Sequence, residues 1–160
     1  MDLVRGATFS LVLLAACGGG SAGTVPVSEC STGLKWTGGD EESPLMHPGM
    51  ACISCHSMRQ APSLEIAGTV YGALHDGDDC YGSPGVSVVI TGADGRVTTL
   101  TTNESGNFSL RSRGTIALPF RAKIVSGSQE RVMATPQMSG DCSSCHSAAG
   151  AEGAAGRITL

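Results

Sequence analysis

Two pentapeptides carry the same pattern, Cys52-Ile53-Ser54-Cys55-His56 and Cys142-Ser143-Ser144-Cys145-His146. Whatever fold the chain adopts must present both. In each, two thiols separated by two residues fall on one side of a single turn of chain, with an imidazole beside them. The chain has seven Cys and four His among 160 residues. With so few His, one follows a given position by chance roughly one time in forty, and both motifs arise by accident on the order of one time in a thousand. The pattern is therefore read as a site.

C-x-x-C-H is the attachment signature of c-type haem. The two thiols reach the two vinyl groups on one edge of a porphyrin and form thioethers, and the adjacent imidazole meets the iron. Three other readings use the same cysteines: a zinc site of four thiolates, redox dithiols and structural disulfides. None of these requires the terminal His, and thiolate zinc sites suit reducing compartments. Two covalently bound c-type haems are expected, held by Cys52, Cys55, Cys142 and Cys145, with His56 and His146 as proximal iron ligands. Aromatic residues make up only 4% of the chain, so the segments around the motifs hold too little apolar surface to order themselves. A porphyrin is expected to supply the missing core.

The first residues, MDLVRGATFSLVLLAAC, place Arg5 before an apolar run from Ala7 to Ala16. That run has the length of a secretory h-region and is too short to span a bilayer. Leu14-Ala15-Ala16-Cys17 followed by Gly18 resembles the bacterial lipobox, in which the Cys thiol is diacylated. Residues 1–16 are expected to be a signal peptide, with Cys17 the lipidation site and 17–33 a flexible tether. The expectation is an exported bacterial lipoprotein anchored to a membrane, the outer membrane favoured by Gly18 after Cys17. An exported chain meets an oxidising compartment.

Residues 34–65 form a loop-rich first haem-binding segment with Pro44, Pro48, Pro62 and a single Trp36. The prolines and Gly49 forbid a helix immediately upstream of Cys52. From Ile66 the character changes to short β-type runs: 66–71, 86–91, 96–102, 107–110, 116–125 and 130–134. Turn residues separate them, namely Gly92-Ala93-Asp94-Gly95, Asn103-Glu104-Ser105-Gly106 and Ser126-Gly127-Ser128. Short strands at hairpin spacing predict an antiparallel β-sandwich over 66–134. Residues 135–160 are a second haem-binding segment, ending in the low-complexity run 148–156.

The pieces Gly68-Thr69-Val70-Tyr71, Pro84-Gly85-Val86-Ser87-Val88, Asp94-Gly95 and Thr101 to Phe108 resemble the carboxypeptidase regulatory-like (transthyretin-like, prealbumin-like) domain over about 60 residues. That resemblance implies a mainly β sandwich without catalysis of its own. The paired C-x-x-C-H motifs resemble multihaem c-type cytochromes. They do not match the single-haem class, whose motif is entered from a helix.

Two His lie outside the motifs. His47 and Met138 are the candidate distal ligands, each just ahead of a motif. Met133 is a further candidate, and His75, in a polar loop, reads as a solvated residue. Cys30 and Cys80 remain after the other cysteines are assigned, and an even remainder in an oxidising compartment suggests a disulfide. Net charge is −4 with no basic cluster, which excludes ordinary nucleic-acid binding. The expected function is electron transfer by an envelope-anchored dihaem c-type cytochrome, with redox proteins such as other cytochromes as partners. The alternatives are a haem peroxidase or reductase, using Asp141 or Asp40-Glu41-Glu42 as acid–base groups, and a non-redox β-sandwich surface lipoprotein with disulfides or zinc.

Overall fold

The computed structural model describes residues 43–77, 80–111 and 114–160. The signal, Cys17, the tether, Cys30, Trp36 and Asp40-Glu41-Glu42 lie outside the described residues. In chain order the elements are α1 (Cys52–Met58), β1 (Leu64–Thr69), β2 (Ser87–Thr91), β3 (Val97–Thr101), β4 (Asn107–Arg111), β5 (Arg121–Ser126), β6 (Gln129–Val132) and α2 (Cys142–Cys145). The protein is mainly β. A 2-stranded sheet pairs β1 with β4, and a 4-stranded sheet runs β3-β2-β5-β6, every pair antiparallel.

Period-2 patterning decides which way each strand faces. In β2, Val88 and Ile90 are buried while Ser87, Val89 and Thr91 are only partly so. Val88 lies opposite Leu100 of β3 and Ile124 of β5, which places three apolar side chains on one face. Both sheets feed one core: Ile66, Val70 and Phe108 from the β1–β4 side, Val86, Val88, Ile90 and Ile124 from the other, with Ile116 and Phe120 between. The turns use the chemistry read in the sequence. Gly95 takes φ +79 in the β2–β3 hairpin. The Asn103 side-chain oxygen accepts from the backbone N–H groups of Ser105 (3.1 Å) and Asn107 (3.0 Å), an Asx turn that carries the chain from β3 into the other sheet.

Three expectations need correction. The predicted strand at 116–125 begins only at Arg121. Pro119 cannot donate to a ladder, and Ile116 serves as a buried core anchor instead. The segment at 34–65 is not entirely loop: Ser43–Met50 forms turns, as its prolines require, but a helix then starts on Cys52 itself. The third correction concerns residues 135–160, which order against the sheet with their own side chains. Gly140 O accepts from Ala67 N (2.9 Å) and Ile158 O from Tyr71 N (2.7 Å). Ile158 and Leu160 pack on the core, and the buried Arg157 guanidinium sits 4.0 Å over the Tyr71 ring. Among the described residues no helix is long and apolar enough to cross a membrane.

Candidate functional site

Both C-x-x-C-H motifs fold the same way. Each makes a short helical turn, α1 or α2, so that its cysteines lie one turn apart with the His just beyond the second. In each the first cysteine turns its thiol back on the carbonyl two residues upstream: Cys52 Sγ donates to Met50 O (3.3 Å) and Cys142 Sγ to Gly140 O (3.4 Å). The two imidazoles also match. His56 Nδ1 donates to Pro62 O at 2.7 Å, and His146 Nδ1 donates to Gly156 O at 2.8 Å. A carbonyl oxygen only accepts, so Nδ1 carries the hydrogen, and in the neutral imidazole Nε2 then keeps its lone pair. Metal-ligating His residues are oriented in this way, with the far nitrogen tied to a carbonyl or carboxylate.

The motifs are far apart in sequence yet meet across β1. Both α1 and α2 pack on that strand. Asp141, the residue before the second motif, is buried and directs its carboxylate to the start of the first motif's helix. It accepts from Ser54 N (2.9 Å), Ser54 Oγ (2.7 Å) and Ile53 N (3.3 Å), partners 87 and 88 positions away. Those N–H groups belong to the first turn of α1, where no intrahelical partner exists, and the local cap residue Ala51 offers no side-chain bond. Gly68 of β1 allows the second motif to approach. A Cβ there would stand 2.9 Å from both Cys142 Cβ and the Phe108 ring. Cys142 in turn packs against the core cluster.

Cys52, Cys55, Cys142 and Cys145 are free thiols. Burial pushes the Cys52 thiol up to about 11, with the nearby Asp141 carboxylate adding to the rise. The Cys142 thiol is pushed up to about 12, again chiefly by burial, then by the Cys52 sulfur and Asp141. A redox dithiol needs the opposite, a nucleophilic thiol with a depressed pKa. Among the described residues no three His, Cys, Asp or Glu side chains converge as a metal cage requires. A cleft of about 190 Å³ lies beside His56, lined by Ile53, Ser57, Ala61, Ser63 and Leu64. Pockets that enclose a small-molecule ligand usually hold roughly 300–1,000 Å³.

The remaining candidates are placed differently. His47 sits at φ +33 in the turn before α1, half-buried. That turn is held to β1 and β4 through Gly49 N to Thr69 Oγ1 (2.8 Å) and Asn107 Nδ2 to Met46 O (2.7 Å). Met138 is 67% exposed on the approach to α2, and Met133 is half-buried just after β6. Cys80 is buried and disulfide-bonded; its expected partner Cys30 lies outside the described residues. Sequence reasoning assigned Asp141 only to acid–base chemistry and gave Gly68 no role beyond its place in the Gly68-Thr69-Val70-Tyr71 piece. The signal for Asp141 was its position ahead of a helical motif, but the helix it caps is the other one.

Comparison with protein-family models, with curated proteins and with solved structures gives no match for this chain.

Proposed function

We propose that this chain is an envelope-anchored dihaem c-type cytochrome that carries electrons between redox proteins. Its two sheets serve as an antiparallel β-sandwich of the transthyretin-like kind, a rigid support for both motifs. Cys52 and Cys55 would hold one haem and Cys142 and Cys145 the other, with His56 and His146 as proximal ligands. When bound, each haem supplies an iron that cycles between ferric and ferrous states.

The observation that carries this reading is the matched pair of imidazoles. His56 and His146 both have Nδ1 tied to a backbone carbonyl and Nε2 left to ligate. The four free thiols support it, because Cys52, Cys55, Cys142 and Cys145 would hold the haems through thioethers, whose formation from thiols would consume no oxidant. An electron carrier is favoured over a peroxidase or reductase by the position of Asp141, whose carboxylate is occupied by the N–H groups of α1. The −4 charge suits partners with a basic docking face, other cytochromes among them. Membrane association through a lipid on Cys17 completes the proposal.

The test is expression with a bacterial haem-maturation system, followed by a pyridine haemochrome assay and intact mass. Two haems per chain are expected, with all four motif thiols blocked to alkylation. A haem-free protein with those cysteines bound to zinc or to one another would overturn the reading.

A further inference from the structure

Asp141 joins the two motifs through a single carboxylate. It immediately precedes Cys142, and its partners Ile53 and Ser54 are the two residues between Cys52 and Cys55. Oδ1 accepts from Ile53 N at 3.3 Å, and Oδ2 accepts from Ser54 N at 2.9 Å and Ser54 Oγ at 2.7 Å. Every partner is a neutral donor, which suits the ionised, acceptor-only form. Among the described residues no Lys or Arg pairs with it, although the residue is only 6% exposed. Capping alone does not account for this, because a neutral Ser or Asn caps a helix as well as Asp does. A buried charge without a counter-ion is costly, so the charge itself calls for a second role. Its field bears on both motifs. Burial does most to raise the Cys52 and Cys142 thiols, and the Asp141 carboxylate adds to the rise at each.

We propose that Asp141 lowers the reduction potentials of both haems together, an assignment that rests on the dihaem reading. Cys52 and Cys142 would each carry a thioether, so the sulfurs on which this charge bears would be bonded to the two porphyrins. A ferric haem holds one more positive charge than a ferrous haem, and a fixed negative charge nearby stabilises the ferric state. Burial strengthens the effect, since less water stands between the charges to screen them. Asp141 bonds neither motif imidazole at Nδ1, where the partners are Pro62 O and Gly156 O. It acts through charge, and it does so from a position common to both sites. A shared charge moves the two potentials in one direction, and the gap between them is left to other groups.

The test is a redox titration of the full-length holoprotein, followed in the visible spectrum. Asp141→Asn keeps a side-chain acceptor for α1 and removes the charge. Both midpoint potentials should rise, so that at the wild-type midpoint the ferrous-to-ferric ratio of each haem increases several-fold; a tenfold increase is about 59 mV for a one-electron couple. The sign separates charge from packing. A merely loosened site admits water, which favours the ferric state and lowers the potential. Ser54→Ala takes one donor from the carboxylate and leaves its charge less offset, so both potentials should move slightly down. That milder variant also decides the matter if Asp141→Asn does not fold. Two haems whose potentials hold or fall in Asp141→Asn would overturn the assignment, as would a rise at one haem alone. Potentials that hold or rise in Ser54→Ala would overturn it too. A wild-type protein without haem fails at the earlier step, the dihaem reading itself.

Discussion

A thiol that must add across a vinyl group has to be reduced, whereas a thiol that exchanges disulfides has to be ionised near neutral pH. Cys52 and Cys142 are free and hold their protons tightly, to about 11 and about 12. Both fall on the first side of that division. In haem-free protein at pH 8, a two-unit rise cuts the thiolate fraction of Cys52 about a hundredfold, and its greater nucleophilicity recovers about tenfold. Iodoacetamide should therefore modify Cys52 roughly ten times more slowly than an unstructured cysteine peptide, as mapped by mass spectrometry; equal rates would refute the burial argument. The sign of the pH effect follows from the same shifts. A folded state that binds a proton more tightly than the unfolded one is favoured at low pH, so this contribution to stability is complete below about pH 9. It declines as pH climbs through about 11 to about 12. Denaturant midpoints of the haem-free protein at pH 8 and pH 11 check it.

The element most dependent on a distant residue is α1. Seven residues are too few for a helix to stand on propensity, and its free N–H groups at Ile53 and Ser54 are satisfied by Asp141 from across β1. Asp141→Ala should cost about 1–2 kcal/mol and lower Tm by several degrees, while Asp141→Asn, which keeps an acceptor, should cost less. Calorimetry of the three proteins decides; an unshifted Tm in Asp141→Ala would show that the cap contributes nothing. The same feature explains what could be read from sequence. The runs that became β2, β3 and β4 were legible because alternation and Gly or Asn turns are local signals, as at Val88, Ile90, Gly95 and Asn103. The helix on Cys52 was not legible, because its cap lies 87 and 88 positions away. The strand start at Arg121 was missed because Ile116 is apolar for the sake of the core and not for a ladder.

At the scale of the molecule, the sequence places the motifs at opposite ends of the β-rich region and the fold brings them to one strand. The last residues accomplish much of this. Ile158 bridges Val70 in parallel, Arg157 covers Tyr71, and Gly156 supplies the carbonyl that orients His146. Composition hid this role, since the run at 148–156 reads as low complexity while the tail turns on the backbone conformation of a glycine and the register of a bridge. On the proposed dihaem reading, two variants separate the tail's structural part from its part in the site. Ile158→Ala removes a half-buried apolar side chain and should cost about 2 kcal/mol, the low end for such truncations, with little change in the iron spectra. Gly156→Ala leaves the apolar contacts in place but sets a Cβ against Leu74 O, so the carbonyl that holds His146 must shift. Its expected mark is a perturbed spectrum for half of the iron, the half at the second motif, with the first motif's signal intact. If Gly156→Ala instead alters both irons equally, or neither, the tail acts as general packing and the orientation of His146 does not depend on it.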